Sequence, residues 1–350
     1  MSRIYKFEKN PKWNHSFEQT VPRSTVHRAS VSEVFLTDAI KCGDSHFQCA
    51  AQLPRTHAYY NDHTHQIPHY DMSLLLEIFR QVSIYVSHSY LNVDPGDNFI
   101  YLDSELCVLQ PRQLMIGDSS APTAAIVDVK IADKLFRKGI QVGITLDMTL
   151  IMNEEQVAHK RTEFRWIDNL VWLRMRGKSI SLTSKTSSNT TPPAPFLTPS
   201  LVGRQNQQNV VITGNFIDST NEICASLNVD MSNPGLFDHP TDHIPGMLII
   251  EGFRQTGLIA ANRYLGINAK KLFLTHCKIG FKRIAELGVD TRCHVNKDEI
   301  CLAEDPRTIV MPLVMEQCGR VTATALLKFS RIHHDNQIKT AMSSPNVEEA

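Results

Sequence analysis

Residues 74–81 of the chain read Leu-Leu-Leu-Glu-Ile-Phe-Arg-Gln, and residues 248–255 read Leu-Ile-Ile-Glu-Gly-Phe-Arg-Gln. Both stretches place three apolar residues, a glutamate, one variable position and Phe-Arg-Gln in the same register. Matching positions, such as 74 and 248, are 174 residues apart in a chain of 350. This separation is too long for a solenoid repeat, so the sequence indicates a duplicated domain.

Each copy of the repeat is predicted to lie on a buried helix. The residues on either side of both copies are also apolar, and a helix that is apolar on nearly every face is normally surrounded by protein. We expect the first helix at about residues 72–88, with Asp71 as its N-terminal cap. We expect the second at about 246–265, where Pro245 suits the first turn and Gly266 the C-terminal stop.

Segments with strand character surround both helices. Alternation of apolar and polar residues at 24–37 predicts a strand ahead of the first helix. Further strands are predicted at 98–109, 124–131, 141–152, 163–175, 210–217, 222–229, 271–281, 291–295, 308–315 and 322–332. A helix wrapped by antiparallel strands is an α+β domain, and two such halves in one chain would form an intramolecular pseudo-dimer.

Composition places the boundaries of these domains. Residues 179–200 are rich in Ser, Thr and Pro and poor in large apolar residues, so they cannot build a core and are typical of a linker. The predicted organisation is a polar arm at 1–22, a first domain at 23–178, a linker at 179–205, a second domain at 206–333 and a polar tail at 334–350.

The charge balance narrows the class of partner. The chain has 36 basic and 36 acidic residues, which argues against nucleic acid or an anionic membrane surface as the principal partner. No apolar run is long enough to span a membrane, and the N-terminus lacks the apolar core of a secretory signal. The eight scattered cysteines are therefore expected to be reduced and buried, in a cytoplasmic protein.

Several motifs together resemble a known family. Residues 245–251 read PGMLIIE and resemble the Pro-Gly-x-Leu-x-x-Glu signature of hotdog-fold acyl-thioester dehydratases, whose helix carries the acidic catalytic residue. The order of motifs over residues 24–333 is more similar to the A-factor biosynthesis (AfsA-type) hotdog family. The motifs that carry this resemblance are Val26-His27-Arg28, Glu33-Val34-Phe35-Leu36-Thr37, Asp62-His63, the first repeat, and Asp242-His243-x-Pro245-Gly246.

The resemblance implies a tandem double-hotdog fold and a γ-butyrolactone (butenolide) synthase. Such an enzyme joins a β-ketoacyl chain, delivered on acyl carrier protein, to dihydroxyacetone phosphate, and the ester cyclises to a phosphorylated butenolide. No cofactor is implied, and the sequence does not decide between a monomeric pseudo-dimer and a homodimer. Two alternatives remain open: another hotdog thioester enzyme, such as a dehydratase or thioesterase, and a non-catalytic module that binds an acyl chain or signal.

The second helix supplies the first candidates for catalysis. Glu251 and Arg254 are three residues apart and share one side of the helix. A carboxylate in an apolar cleft is expected to have a raised pKa and could act as a general base, while the arginine could clamp a phosphate or an oxyanion. Gln255 and the backbone N–H groups of Gly246 and Met247 could bind substrate beside them. Alternatively, Glu251 and Arg254 form a buried pair that holds the halves together.

The first helix offers an equivalent set. Glu77, Arg80 and Gln81 stand in the same register as the second-copy residues and could act in the same way. The helix start at residues 70–72 lacks the Pro-Gly pair, which makes a close approach of substrate to the backbone less assured. The sequence leaves open whether there are two sites or one site built from both halves.

The histidines ahead of each helix are further candidates. His63 lies 14 residues before Glu77, the separation that the dehydratase family keeps between its catalytic histidine and its glutamate. His63 is therefore a candidate for acid/base or substrate-binding work, as are His239 and His243 in the second half, although each could be a loop histidine without such a role. No metal is predicted, because His63 and His65 lack a Cys, Asp or Glu set that completes a zinc spacing.

Overall fold

The computed structural model describes residues 14–117, 121–183, 197–218 and 221–331. The predicted tail, much of the predicted arm and part of the predicted linker lie outside these residues. In the first half the elements are β1 (Leu36–Gly43), β2 (His46–Leu53), α1 (Met72–Leu91), β3 (Asn98–Val108), β4 (Thr123–Arg137), β5 (Ile140–Met152), β6 (Glu155–Ile167) and α2 (Asn169–Thr183). In the second half they are β7 (Ile212–Asp218), β8 (Glu222–Leu227), α3 (Gly246–Leu265), β9 (Leu272–Phe281), β10 (Thr291–Asn296), β11 (Cys301–Leu302), β12 (Thr308–Gln317) and β13 (Arg320–Arg331).

The two repeated stretches lie on α1 and α3, as predicted. Asp71 caps α1, because its carboxylate accepts a hydrogen bond of 2.9 Å from the Ser73 N–H. At α3 the cap position itself is Pro245, and the helix begins one residue later. Gly266 ends α3 with a φ of 66°, a left-handed conformation that glycine adopts without steric cost.

Two strand predictions were wrong. Residues 24–37 do not form one strand: they contain short 3₁₀ helices at Arg23–Val26 and Val31–Glu33, and β1 begins only at Leu36. The apolar residues in this stretch do not occur at every second position, as they would in a half-buried strand. Their spacing is also compatible with consecutive tight turns, in which Val26 and Val34 are buried in the core. In addition, the sequence pattern did not indicate β2.

The second wrong strand is the one predicted at 163–175. Here β6 ends at Ile167 and α2 begins at Asn169, so α2 extends into the predicted linker. The carboxylate of Asp168 accepts hydrogen bonds from the N–H groups of Leu170 and Val171 and starts the helix. An aspartate at this position satisfies N–H groups that have no partner within the helix, which favours a helix over continued strand.

Within the described residues, the strands form one antiparallel sheet whose two halves mirror each other. The first half runs β1-β2-β4-β5-β6-β3, and the second runs β9-β13-β12-β10-β8-β7, with β11 beside β12. The halves join where β3 pairs with β9, for example Ser104 with Ile279. Each half therefore wraps its own helix, which confirms the predicted α+β class and the intramolecular pseudo-dimer.

The two long helices form the core of their halves. In α1, Leu74, Leu75 and Phe79 are fully buried, and in α3 Leu248 and Phe253 are almost fully buried. Glycines bring α3 close to the sheet: a Cβ on Gly252 would lie 2.5 Å from Leu227 Cδ1. Such a distance is too short for carbon atoms, so the packing of α3 depends on the missing side chain.

Substituting Gly252 with leucine should therefore destabilise the protein. The new side chain would overpack the contact between α3 and β8, at a cost of about 3 kcal/mol. The matched control is Gly177→Leu in α2, where no atom lies within 4 Å of an added Cβ. Urea unfolding monitored by circular dichroism would measure both variants. An unchanged midpoint for Gly252→Leu would contradict the described packing of α3.

Candidate functional site

The glutamate on α1 is the centre of a buried ionic cluster. Glu77 accepts hydrogen bonds from Arg28 Nε at 2.9 Å, from Arg80 Nε at 2.8 Å and from Gln81 Nε2 at 2.7 Å. Arg28 Nη2 also lies 2.5 Å from its second oxygen. Gln81 in turn accepts a hydrogen bond from the Phe35 N–H, which ties α1 to the start of β1. We call Arg28, Glu77, Arg80 and Gln81 the first cluster.

The second half repeats this arrangement on α3. Glu251 accepts hydrogen bonds from Arg204 Nε at 3.0 Å, Arg254 Nη1 at 3.1 Å and Gln255 Nε2 at 2.6 Å. The Tyr59 hydroxyl adds a longer hydrogen bond of 3.4 Å. We call Arg204, Glu251, Arg254 and Gln255 the second cluster. The sequence analysis missed the role of Arg28 and Arg204, although Val-x-Arg at 26–28 and 202–204 repeats with nearly the spacing of the helices.

Each cluster is held by an aspartate from the other half. Asp238 of the second half accepts hydrogen bonds from the N–H groups of residues 29–30, directly after Arg28. Asp62 of the first half accepts hydrogen bonds from the N–H groups of residues 205–206, directly after Arg204. The two halves are thus joined by two equivalent sets of hydrogen bonds, each between an aspartate of one half and the backbone of the other.

The expected rise in the pKa of the helix glutamates was wrong. Burial alone would raise the pKa of Glu251, but the guanidinium groups of Arg204 and Arg254 outweigh it and hold the pKa below its ordinary value. Arg28 and Arg80 likewise outweigh burial at Glu77 and lower its pKa to about 2. Both carboxylates are therefore ionised at neutral pH, with oxygens already occupied by donors, and are poor general bases.

The two clusters differ in exposure. A cavity of about 1310 Å³ lies between the halves and reaches the first cluster through Arg28 and Arg80. Among the described residues that line it there is no member of the second cluster, where Glu251 is 1% exposed and Arg204 is fully buried. The open site is therefore on the α1 side.

One position explains this asymmetry. Tyr59 packs its ring 4.5 Å from the guanidinium carbon of Arg204 and closes the second cluster. Counted from Asp62 and Asp238, the position that corresponds to Tyr59 is Gly235, three residues before the aspartate in each half. Gly235 lines the cavity, and a Cβ there would lie 2.6 Å from Tyr59 Cβ. At this position the first cluster therefore has no side chain that corresponds to the Tyr59 ring over the second.

The cavity brings together groups of two kinds. Its apolar wall comes from both helices and from the centre of the sheet, and consists of Leu76, Ile84, Met247, Ile249, Ile250, Ile279 and Phe281. The lysines and arginines on its lining outnumber the acidic residues. The basic ones are Arg23, Arg28, Arg80, Lys160, Arg176, Lys282, Arg283 and Arg320, and the acidic ones are Asp97, Asp238 and Glu286. The cavity thus suits a ligand with an apolar chain and an anionic group.

Two cations of the lining can still donate hydrogen bonds. Lys160 is only 3% exposed, and no described residue accepts a hydrogen bond from its ammonium group. Burial lowers the pKa of Lys160 to about 8. Arg80 uses Nε and Nη2 for Glu77 and the Val26 carbonyl, and among the described residues its Nη1 has no acceptor. A buried cation without a hydrogen-bond acceptor is costly, which indicates that an acceptor from a ligand belongs beside Lys160. Arg80 is paired with Glu77, but its free Nη1 could donate to the same ligand.

The start of α3 forms the opposite wall. Gly246 and Met247 line the cavity, and the first N–H groups of a helix have no partner within it and favour negative charge. His243 also lines the cavity, and its Nδ1 lies 2.6 Å from Asp242 Oδ1. A carboxylate on Nδ1 fixes the tautomer and leaves Nε2 able to accept a proton. Arg176 of α2 holds Asp242 in place through a hydrogen bond of 2.8 Å.

His239, the other histidine candidate of the second half, also lines the cavity. Glu77, Gln81 and His63 do not line it. Gln81 and Glu77 stand behind Arg80 and Arg28, where they orient the arginines. His63 lies in a separate buried group with His65 and His69, on the side of the second cluster. Burial lowers the pKa of His63, that of His65 to about 4 and that of His69 to about 3, so all three are neutral.

The fold and the cavity together define a tandem hotdog protein with an open site between its halves. Residues 10–168 and 185–333 match the AfsA family, the A-factor biosynthesis hotdog domain, and the chain belongs to that family. The chain is similar to the 2-oxo-3-(phosphooxy)propyl 3-oxoalkanoate synthase of Streptomyces virginiae, with 32% identity over 82% of this chain and 90% of the relative. It is also similar to the synthase of the same name from Streptomyces coelicolor, with 29% identity over 70% and 74%.

A solved structure supports the fold independently. The 12:0-ACP thioesterase of Umbellularia californica superposes with a TM-score of 0.50 over 82% of this chain and 94% of its own, at 8% identity. At this identity the likeness shows the fold alone, and it confirms the tandem double hotdog. All eight cysteines are free thiols in the structure, but the prediction that they are buried was wrong for Cys42, Cys301 and Cys318, which are exposed. No helix in the described part of the chain has the length and apolar character needed to cross a membrane.

Replacing Arg204 with methionine should destabilise the protein by about 3–5 kcal/mol, because the buried carboxylate of Glu251 loses its main cation. The double variant Arg204→Met, Glu251→Gln should recover much of that loss, since the buried carboxylate is gone and the remaining cation, Arg254, still has Asp71 at 3.6 Å. Urea unfolding of the two variants beside the wild type would measure this. If the single variant lost less than about 1 kcal/mol, the second cluster would not be the structural anchor described here.

Proposed function

We propose that this protein transfers a β-ketoacyl chain from an acyl-carrier-protein thioester to a hydroxyl of dihydroxyacetone phosphate, and that the ester then cyclises to a phosphorylated butenolide. The observation that carries the proposal is the cavity of about 1310 Å³, which combines an apolar wall with basic groups, Arg80 and Lys160, that keep N–H groups without acceptors among the described residues. The name of the relatives, 2-oxo-3-(phosphooxy)propyl 3-oxoalkanoate synthase, describes the ester of those two parts.

The size and wall of the cavity support an acyl substrate. Ligand pockets are typically about 300–1,000 Å³. A cavity of about 1310 Å³ has room for an acyl chain together with a three-carbon phosphate. We place the chain against Leu76, Ile84, Ile249 and Ile250, where burial of apolar surface favours binding.

Arg80 and Lys160 form the proposed phosphate subsite. Both line the cavity, both have N–H groups without acceptors among the described residues, and an arginine is suited to two hydrogen bonds with one phosphate. Glu77 then has a supporting role: it fixes the plane of the Arg80 guanidinium from behind. This assignment explains why an ionised, fully occupied carboxylate lies under the site.

His243 is the proposed general base for acyl transfer. In this step the dihydroxyacetone phosphate oxygen attacks the thioester carbonyl, the C–O bond forms, the C–S bond breaks, and the thiol of the carrier leaves. His243 Nε2 would take the hydroxyl proton and return it to the leaving thiolate, with Asp242 on Nδ1. The free N–H groups at Gly246 and Met247 would stabilise the developing oxyanion.

The closed second cluster has a structural role in this proposal. Glu251, Arg254 and Gln255 use their polar groups on one another, on Arg204 and on the neighbouring backbone. The protein would thus carry one active site, at the interface of its halves. We also place it in the cytoplasm, where free thiols persist and carrier-bound acyl chains are made.

Mass spectrometry of purified protein with a β-ketoacyl carrier thioester, with and without dihydroxyacetone phosphate, tests the proposed function. The phosphorylated ester or butenolide should form only when both substrates are present. Hydrolysis or dehydration of the thioester regardless of the phosphate would indicate another hotdog thioester enzyme. A bound acyl chain without any turnover would indicate a binding module.

Replacing His243 with glutamine should lower kcat by about 10²–10⁴-fold, the usual contribution of a general base. The control is His159→Gln, an exposed histidine on β6 that also lies beside a carboxylate, Asp147 at 3.8 Å. Steady-state rates of product formation would measure both variants. A His243→Gln enzyme as fast as the His159→Gln control would remove His243 from the mechanism.

Replacing Lys160 with methionine should raise the KM for dihydroxyacetone phosphate by about 10–100-fold, because a charge-assisted hydrogen bond is lost. Lys160 is a cation below its pKa of about 8, so the wild-type KM for the phosphate should rise as pH increases through 8. The variant should lose this pH dependence. The control, Lys130→Met, removes an exposed lysine from β4. An unchanged KM in Lys160→Met would contradict the phosphate subsite.

A further inference from the structure

Three histidines lie close together outside the open site, beside the second cluster. His63, His65 and His69 belong to the loop between β2 and α1, and each offers a ring nitrogen within 4.8 Å of the nitrogens of the other two. Their ring centroids are 4.1–5.3 Å apart. None of these histidines lines the large cavity, so the acyl-transfer proposal gives the group no role.

The hydrogen bonds of two of these rings fix which nitrogen is free. His65 Nε2 lies 2.9 Å from the Leu272 carbonyl, and His69 Nδ1 lies 3.2 Å from the Ile67 carbonyl. A carbonyl oxygen can only accept, so these nitrogens carry the ring protons. In each neutral ring the other nitrogen, Nδ1 of His65 and Nε2 of His69, then presents a lone pair.

Two buried ring nitrogens without hydrogen-bond partners are an independent observation that points to a ligand. His63 Nδ1 and His65 Nδ1 are buried and have no hydrogen-bond partner among the described residues. Buried polar atoms normally have a partner, and each exception calls for a water, an ion or another explanation. Two such atoms in one group of three imidazoles point to a single ligand that accepts several lone pairs.

We propose that His63, His65 and His69 bind a divalent transition-metal cation, with Zn²⁺ as the best-matched occupant. Imidazole nitrogens suit Zn²⁺, Co²⁺, Ni²⁺ and Cu²⁺ rather than the oxygen-preferring Mg²⁺ and Ca²⁺. The carbonyls of Leu272 and Ile67 orient two of the rings through their other nitrogens, as outer partners of metal-bound histidines do. Tetrahedral zinc places nitrogens roughly 3.3 Å apart, so the rings would draw together on binding.

The charges around the site are balanced. Asp71 favours a cation here, and Arg254 and Arg204 oppose one. Arg204 is paired with Glu251, with Nη2 2.8 Å from Oε2. Arg254 is already paired with Glu251 at 3.1 Å, and its Nη2 lies 3.6 Å from Asp71 Oδ2. The net local charge before binding is therefore close to zero.

The proposed metal would join the loop of the first half to the second half. The ring of His65 stacks on Phe273 at the start of β9, with centroids 4.6 Å apart. The backbone N–H of Thr64 donates to the Gly203 carbonyl, and Gln205 donates to the His63 carbonyl at 2.6 Å. A cation on the three histidines would thus brace the same loop whose Asp62 holds the second cluster, and its role would be structural.

Metal titration of tag-free full-length protein tests this inference. After treatment with a chelator, the protein should take up one equivalent of Zn²⁺ or Co²⁺ per chain, with visible Co²⁺ absorption typical of nitrogen ligands and a rise in Tm. His65→Gln and His69→Gln should each weaken binding by more than about 100-fold, beyond the loss that an outer partner causes. His46→Gln, which alters a histidine bonded to Asp128 on the far part of the sheet, is the control.

Folding of the variants is checked by circular dichroism without metal, so a lost Tm rise in a folded variant reports loss of binding. One equivalent bound by the wild type and by His46→Gln, but not by the other two variants, would support the site. Absence of stoichiometric binding to the wild type would overturn it. Equal binding by His65→Gln, His69→Gln and the wild type would overturn it as well. Neither result bears on the acyl-transfer reaction, which is assayed separately.

Discussion

The buried ion pair between a turn arginine and a helix glutamate is the interaction on which this fold depends. It occurs as Arg28 with Glu77 and as Arg204 with Glu251, at distances of 2.5–3.0 Å. Leaving either charge unpaired in the interior would cost several kcal/mol of folding free energy. Each turn that carries an arginine therefore has to pack against the helix that carries its glutamate. Because Asp238 and Asp62 hold these turns from the opposite halves, the same pair also fixes how the halves meet.

Duplication and divergence have given these two equivalent clusters different uses. Tyr59 covers Arg204 and donates to Glu251, and the resulting cluster is sealed. Gly235 stands at the matching position of the other half and leaves the first cluster open to a large cavity. A buried ionic anchor is thus retained on one side, while on the other side Arg80 keeps one donor for a ligand.

The low pKa of both glutamates changes which residue is expected to act as the general base. A glutamate surrounded by two guanidinium groups and an amide donor positions cations and does not readily accept a proton. In the proposed mechanism, proton transfer therefore falls to His243 at the start of α3, and the glutamate supports the phosphate subsite. The fold concentrates these groups at one end of the two helices, where the two halves are in contact.

The sequence alone determined the duplication, the two buried helices, the α+β class and the position of the Glu-Arg-Gln set on each helix. These features follow from local periodicity and from residues in a fixed register, which need no knowledge of distant contacts. Local reasoning failed at residues 24–37 and 163–175, because tight turns and a capping aspartate can carry the same apolar spacing as a strand.

Tertiary structure alone decided the rest. Which cluster is open to the cavity depends on Tyr59 and Gly235, which are 176 positions apart. The direction of the pKa shift of each helix glutamate depends on an arginine 47–49 residues earlier in the chain. The sequence named His243, but Lys160 joined the proposed site only when the sheet and the start of α3 were brought to one cavity. Electrostatic and steric effects depend on distance in space, and the spacing of residues along a chain does not contain that distance.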